Sequence, residues 1–262
     1  MCLILIAYQV HPRYPLVLAA NRDEFYPRPT AGAAFWPDAP HILAGRDLVH
    51  QGTWLGMTRG GRFAALTNYR DPHETKRNAP SRGELASGFL RSDTPSGDYL
   101  ERLRAEAGAY HGYNLLFGEL DDLYCYSNKS GEAMKLAPGI HGLSNHLLDT
   151  PWPKVVRGKE SLAKVVRSTG ISREDLFAVL ADRTQAVDEL LPDTGVGLVW
   201  ERMLSSIFIT SESYGTRSST VLLIDVNRKV SFVERSFNCG GGREVEVNFE
   251  IELLPSLNST AA

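Results

Sequence analysis

Two apolar runs near the start of the chain decide its fold: CLILIAYQ at residues 2–9 and LVLAA at residues 16–20, the latter continuing directly into Asn21-Arg22-Asp23-Glu24. The residues between them, HPRYP at 11–15, have the composition of a turn, so the two runs are predicted to pair as antiparallel strands. Antiparallel pairing brings the end of the second strand beside the start of the first. The polar tetrad is therefore predicted to lie next to Cys2.

Cys2 is the first candidate for chemistry, because removal of Met1 would leave a thiol and a free α-amine on one residue. An α-amine titrates near pH ~8, so part of it is an unprotonated base at neutral pH. Enzymes with an N-terminal Thr, Ser or Cys use such a base to take the proton of the nucleophile. The alternative interpretation is that Cys2 is a small apolar residue buried at the start of a strand.

The tetrad offers groups that would serve such a nucleophile. Arg22 is predicted to stabilise a thiolate by its charge, and Asp23 is predicted to orient the α-amine. The alternative is an exposed loop of alternating charge, which would have no role in chemistry.

Two asparagines and one arginine complete the candidate site. The side chains of Asn68 and Asn145 carry amide donors without charge, which suits an oxyanion hole, although asparagine is also common in turns and caps. Arg217 precedes the apolar run at residues 219–226, where an arginine has a structural partner or binds an anion.

Predicted hairpins alternate with pairs of predicted helices along the chain, and single strands do not alternate with single helices as they do in βαβ units. This order predicts an α+β fold of mainly antiparallel sheets covered by helices. We expect one domain over residues 1–255 and a disordered tail over residues 256–262.

Beyond the first pair, the predicted strands are 53–58, 62–68, 113–119, 123–128, 205–210, 219–226 and 229–237. The predicted helices are 81–91, with Ser81 and Glu84 as a capping box, then 96–107, 155–168 and a segment capped by Ser172 that ends near 182.

The composition argues against several classes of protein. The chain has 262 residues, a hydrophobic content of 43% and a net charge of −3, which are typical of a globular domain and give no reason to expect nucleic-acid binding. No apolar run approaches the roughly 18 residues of a membrane-spanning helix. We therefore expect a cytoplasmic protein without an integral membrane segment.

Metal and cofactor motifs are also missing from the sequence. The three cysteines form no CxxC pair, and the seven histidines show no HExxH spacing. The glycine-rich stretch that follows Cys239 has no Lys-Ser/Thr after it, which argues against a phosphate loop. The residues themselves therefore predict neither a metal nor a cofactor.

Beyond the start with Cys2 and the tetrad, a set of stretches resembles one protein family over residues 1 to about 237. These stretches are GRDL (45–48), GTWLG (52–56), LTNYR (66–70), SRG (81–83), YNLL (113–116), GLSN (142–145), LDTPWPKV (148–155) and YGTR (214–217). The chain is accordingly similar to the NRDE family, also called the transport and Golgi organisation protein two family.

The resemblance implies an N-terminal-nucleophile hydrolase fold of four layers, αββα, and a distant similarity to cysteine-type amidases that cleave bile-salt conjugates and penicillin V. It implies catalytic roles for Cys2, Arg22, Asp23, Asn68 or Asn145, and Arg217. The chain departs from those amidases in one respect: Arg22 and Asp23 are adjacent. Neighbouring strand residues point to opposite faces of a sheet.

Two functions are consistent with this resemblance. The first is an amidohydrolase that acts on a small acylated substrate through Cys2 and needs no cofactor. The second is a non-catalytic protein that binds haem, an acyl-lipid or an acyl-thioester in the same pocket, since fold does not fix function. The ligand and the oligomeric state are not specified by the sequence.

Overall fold

A computed structural model describes residues 2–254 of the chain. Within these residues, two antiparallel sheets contain all of the named strands. The six-stranded first sheet has the spatial order β10 (Gly139–Leu143), β1 (Cys2–Tyr8), β2 (Leu16–Phe25), β11 (Tyr214–Ile224), β12 (Lys229–Phe237) and β13 (Arg243–Glu252). The seven-stranded second sheet has the order β3 (Thr30–Trp36), β4 (Ala39–Asp47), β5 (Leu55–Thr58), β6 (Phe63–Asn68), β7 (Tyr113–Glu119), β8 (Asp122–Ser127) and β9 (Ala133–Lys135).

Helices cover the outer face of each sheet. The α-helices of the described chain are α1 (Gly83–Arg91), α2 (Ser96–Glu106), α3 (Pro153–Val166), α4 (Arg173–Leu180) and α5 (Leu198–Leu204). Phe89 and Leu103 of α1 and α2 pack on the second sheet, whereas Leu162 and Leu180 of α3 and α4 pack on the first. A third apolar cluster fills the space between the sheets. The predicted α+β fold with four αββα layers is therefore confirmed.

The position of β1 in an inner layer explains why its sequence is apolar throughout. Leu3 and Leu5 pack against the helices, whereas Ile4 and Ile6 pack against the second sheet. Side chains alternate between the faces of a strand, so a strand in an inner layer buries both sets.

The predicted strand at residues 205–210 is wrong, because only an isolated bridge between Thr210 and Gly215 occurs there. The run is apolar because Ile207 and Ile209 are buried, but its backbone meets a strand only at this bridge, where the carbonyl of Ile209 accepts the N–H of Thr216 in β11. The N–H of Phe208 donates to the carbonyl of Asp182, and the N–H of Ile209 donates to the hydroxyl of Thr216. An apolar run that is not paired with a strand along its length satisfies the rest of its backbone in this way.

The capping box predicted at the start of α1 is also wrong. The N-cap residue is Arg82, and no side chain caps the helix; Ser81 accepts the N–H of Glu84 through its backbone carbonyl instead. By contrast, the hydroxyl of Ser172 accepts the N–H of Asp175 and caps α4 as predicted.

Several other features complete the comparison with the predicted elements. Strands β3, β4, β9, β10 and β13 and helix α5 were not predicted. The predicted tail at residues 256–262 lies outside the described residues. None of the described helices is long and apolar enough to cross a membrane.

Candidate functional site

The pairing of β1 with β2 places Cys2 directly opposite Arg22 and Leu3 opposite Asn21, so the tetrad lies next to Cys2 as predicted. The strand β2 continues through the whole tetrad, and Asn21, Arg22 and Asp23 are 1%, 6% and 1% exposed. The interpretation of the tetrad as an exposed loop is therefore wrong.

Alternation along β2 divides the tetrad between two faces. Arg22 lies on the face toward the second sheet, where its guanidinium carbon is 4.2 Å from the centroid of the Trp54 ring. Asn21 lies on the opposite face and donates its amide to the carbonyls of Leu180 and Ile207, both at 2.9 Å. Asn21 therefore anchors the helical layer to the sheet, whereas Arg22 shares the face of Cys2.

A cleft of about 880 Å³ opens beside Cys2. Its walls come from the start of β1, the end of β2, the loop before β5, the start of α1 and the segment around α5. Its ionisable lining residues are Cys2, Arg22, Asp23, Glu24, Arg28, Asp47, His50, Arg82, His111 and Tyr214. Its remaining lining residues are Phe25, Thr53, Trp54, Leu66, Asn68, Pro72, Ala79, Pro80, Ser81, Gly83, Gly195, Val196, Trp200 and Leu204.

Burial raises the pKa of the Cys2 thiol, and the charge of Asp23 raises it further. The charge of Arg22 and the backbone N–H of Asp23 act in the opposite direction without reversing the shift. The thiol is therefore protonated at neutral pH, and a base must take its proton if it is to attack. The carbonyl of Cys2 accepts a hydrogen bond from the hydroxyl of Ser144 at 3.0 Å, which fixes the start of β1 against the segment after β10.

Arg22 is a buried cation with unused hydrogen-bonding capacity. Its Nη2 lies 3.8 Å from a carboxylate oxygen of Glu24. Its Nη1 is buried and has no hydrogen-bond partner among residues 2–254. A guanidinium carries five donors, and no described residue uses the donors of this atom.

Asp23 lines the cleft although it lies on the opposite face of β2 from Arg22. One of its carboxylate oxygens accepts a hydrogen bond from the hydroxyl of Thr216 at 2.7 Å. Burial raises the pKa of Asp23, and the positive charge of Lys154 counteracts that shift. The charge state of this carboxylate is therefore coupled to a lysine of the helical layer.

Lys154 is the functional candidate that the sequence did not predict. It lies in the first turn of α3 and is 1% exposed, and its Nζ has no hydrogen-bond partner among the described residues. Burial lowers its pKa to about 8, against the opposing charge of Asp23. A cation is unfavourable at the N-terminal end of a helix, so a lysine directly after the Pro153 that opens α3 was the available signal.

The remaining predicted site residues differ in position. Asn68 lies at the end of β6 and lines the cleft. Asn145 does not line it; its amide donates to the carbonyl of Asn68 at 2.8 Å and so supports the end of β6. Arg217 does not line it either, because its Nη1 donates to the carbonyls of Phe25, Tyr26 and Arg28. Arg217 thus has the structural partners that were one of its two predicted alternatives.

No group of three or more His, Cys, Asp or Glu side chains suited to hold a metal occurs in residues 2–254. The polar side chains that line the cleft include the thiol of Cys2, three carboxylates, three guanidinium groups and the imidazoles of His50 and His111.

Comparison with known proteins agrees with the family resemblance. The family model described as Transport and Golgi organisation 2 matches residues 1–239. The Transport and Golgi organization protein 2 homologs of Bos taurus and Homo sapiens are 40% and 39% identical to the chain over 257 residues. Each alignment covers 90% of this chain and 93% of the homolog.

Among solved structures, the chain is similar to a C2A mutant of conjugated bile acid hydrolase from Clostridium perfringens. The TM-score is 0.52 at 7% sequence identity, and the alignment covers 99% of this chain and 93% of that one. This likeness extends to the fold, which is that of the N-terminal-nucleophile hydrolases. The match of the family model over most of the chain, together with the identity to these homologs, shows that the chain belongs to the Transport and Golgi organisation 2 family.

Proposed function

We propose that this protein, after removal of Met1, is a hydrolase that cleaves the amide bond of a small acylated substrate with Cys2 as nucleophile. The observation that carries the proposal is the position of Cys2: it begins a central strand, lines the cleft and lies opposite Arg22 and near Asp23. An N-terminal residue held in this way presents its thiol and its α-amine to the same ligand.

In the first half of the reaction, the thiol attacks the carbonyl carbon while the α-amine of Cys2 takes its proton. The C–N bond then breaks, and the leaving amine receives that proton. In the second half, water attacks the acyl-thioester, which releases the carboxylic acid and restores the thiol.

The raised pKa of Cys2 supports a concerted proton transfer rather than a preformed thiolate. Arg22 would stabilise negative charge on sulfur as the proton leaves, because its guanidinium shares the face of Cys2. Asn68 is the better of the two asparagine candidates for the oxyanion, since it lines the cleft and Asn145 supports it from behind. Asp23 would accept a hydrogen bond from the α-amine.

The proposal is tested by incubating the purified chain with a panel of acyl 4-nitroanilides and measuring release of nitroaniline. Mass spectrometry of the same sample reports whether Met1 is absent and whether an acyl group is bound to Cys2. We expect hydrolysis by the processed protein, together with an acyl adduct that maps to residue 2.

Two variants make the test specific. Cys2→Ala should abolish both the hydrolysis and the adduct. Cys239→Ala should change neither, because Cys239 is an exposed thiol that does not line the cleft. Hydrolysis that persists in Cys2→Ala, or retention of Met1 in active protein, would contradict the proposal.

A second candidate function is the binding of haem, an acyl-lipid or an acyl-thioester without catalysis. It is favoured by the size of the cleft and by the burial that raises the pKa of Cys2, which keeps the resting thiol unreactive. Cys2, His50 and His111 line the cleft and are residue types that ligate haem iron. A Soret band that forms on addition of haemin, and that is lost in His50→Ala or His111→Ala, would support this function; absence of the band would exclude haem.

A further inference from the structure

The N-terminus of helix α1 opens into the cleft. Ser81, Arg82 and Gly83 line the cleft where this nine-residue helix begins. The backbone N–H groups of Arg82 and Gly83 have no acceptor within residues 2–254. Free N–H groups and the positive end of the helix dipole attract anions.

Arg82 adds a full charge to this end of the cleft. Its Nη1 donates to the carbonyl of Gly112 at 3.1 Å, and it makes no ion pair with any carboxylate of the described residues. The neighbouring Arg28 is instead paired with Asp47 at 2.6 Å. Among the three arginines that line the cleft, Arg82 is thus the one whose charge is not offset by a carboxylate in contact.

A second and independent group points to a ligand in the same cleft. The Nη1 of Arg22 is buried and has no hydrogen-bond partner among residues 2–254, although it lies beside Cys2. A buried donor left without a partner costs free energy, which a ligand acceptor would recover. The Nη2 of the same side chain lies 3.8 Å from Glu24, so the lining is not uniformly positive. The best place for an anion is therefore on the side of Arg82.

We infer that the start of α1, with Arg82 and the free Nη1 of Arg22, is a subsite for an anionic group of the substrate, a carboxylate or a phosphate. The inference deepens the proposed function, because it names the substrate class as acylated compounds that carry such a group. The subsite itself would bind an anion whether or not Cys2 is catalytic. Only the claim that the bound compound is cleaved rests on the proposed function.

The first test compares iodoacetate with iodoacetamide as alkylating reagents of Cys2. The two differ by one negative charge, so the ratio of their rate constants reports the potential at the subsite. We expect Arg82→Gln to lower this ratio on the order of tenfold relative to the unsubstituted chain, as loss of a charge-assisted hydrogen bond implies. The matched control is Arg104→Gln, which removes the same charge from an exposed position on α2 and should leave the ratio unchanged.

The second test does not need a reactive Cys2. The Cys2→Ala chain is titrated with hexanoate, hexyl phosphate and hexanol, and binding is followed by the fluorescence of Trp54 and Trp200, which line the cleft. We expect one or both anions to bind and hexanol to bind at least tenfold more weakly, with the difference lost in the Cys2→Ala, Arg82→Gln double variant. The stronger anion identifies the group as a carboxylate or a phosphate.

The outcomes separate the two proposals. Anion binding that depends on Arg82, in a protein without hydrolytic activity, would keep the subsite and end the hydrolase proposal. Equal binding of hexanol and the anions, or anion binding that survives Arg82→Gln, would overturn the subsite even if Cys2 proves to be catalytic.

Discussion

Cys2 and Arg22 are directly paired residues of β1 and β2, with both side chains on the face that looks toward the second sheet. The antiparallel register sets the separation of the two Cβ atoms and places both side chains on one face of the sheet. Stacking on Trp54 further restricts the guanidinium of Arg22. The positive charge of Arg22 is therefore held on the face of the proposed nucleophile before any ligand binds.

We predict that Arg22→Met shifts the pH at which alkylation of Cys2 is half-maximal upward, because the positive charge of Arg22 lowers the pKa of the thiol. The measurement is the rate of reaction with iodoacetamide from about pH 7 to 11, resolved for residue 2 by mass spectrometry. Arg22→Lys keeps a positive charge and should show little of this upward shift. An unchanged pH profile in Arg22→Met would show that the charge does not act on the thiol.

Lys154 should make stability depend on pH. Its pKa is lowered by burial to about 8 in the folded state, so the unfolded chain holds the proton more tightly between that pH and roughly 10.4. Stability then rises with pH across this window, and the cost of burying the cation is largest below pH 8.

We therefore predict that the free energy of unfolding of the unsubstituted chain, relative to that of Lys154→Met, increases by up to about 3 kcal/mol between pH 7 and 10. Urea denaturation of both proteins at pH 7, 8, 9 and 10 measures the difference. The other titrating groups contribute almost equally to the free energy of unfolding of both proteins, so their contributions largely cancel in it. Lys154→Arg, which cannot lose its proton, should behave like Lys154→Met in its pH dependence. A difference that stays constant over this range would mean that Lys154 does not titrate as a buried group.

Asp149 holds the segment that supports Cys2. Its carboxylate accepts hydrogen bonds from the N–H of Gly142 at 2.9 Å and from Lys159 at 2.6 Å, and contacts His141 at 2.8 Å. Although burial raises the pKa of Asp149, these partners lower it to about 2, while the bond to Asp149 raises the pKa of His141. The stabilisation from the carboxylate is lost as pH falls toward 2, and that from His141 is lost as pH rises through its raised pKa.

We predict that Asp149→Asn lowers the free energy of unfolding by about 1–2 kcal/mol, with the largest effect between roughly pH 4 and 6.5. Asparagine tolerates the positive φ of 58° at this position, so the backbone should be undisturbed. Thermal or urea denaturation from pH 3 to 8 measures the effect. A loss that is uniform over this range would assign it to packing rather than to charge.

Gly52 fixes the position of the start of α1. A Cβ at residue 52 would lie 2.5 Å from the carbonyl carbon of Gly83, a contact that the backbone can relieve only by moving. We predict that Gly52→Ala costs about 1–3 kcal/mol of stability and weakens the preference of Cys2 for iodoacetate, because the free N–H groups of α1 shift. The control is Gly97→Ala in α2, where no atom lies within 4 Å of the added Cβ and the change should be stabilising. Full stability of Gly52→Ala would contradict the close approach.

The elements that were predicted correctly are those with a local physical cause. The apolar runs of β1 and β2, the turn between them and the Ser172 cap of α4 each depend on neighbouring residues. The strand at 205–210 was predicted wrongly because an apolar run shows that a segment is buried and does not show whether a strand edge lies beside it. The edge strand β13 was missed although Val245, Val247, Phe249 and Ile251 alternate with polar residues, which is the pattern of a half-buried strand, and the last three of them pack against the core between the sheets.

The predicted site residues fall into two groups, those that line the cleft and those that bond to backbone beside it. Cys2, Arg22, Asp23 and Asn68 line the cleft, whereas Asn145 and Arg217 act through backbone carbonyls beside it. An asparagine or arginine has the same appearance in the sequence whether its donors reach a ligand or a carbonyl.

The sequence by itself determined that Cys2 and the tetrad lie together, because an antiparallel pair of strands joined by a short turn allows few registers and alternation then assigns each side chain to a face. Only the tertiary structure decided that Lys154 is buried near Asp23, that Arg28 is paired and that Arg82 is not. Those contacts join segments far apart in the chain, and the charge state of a group depends on every neighbour that replaces its water.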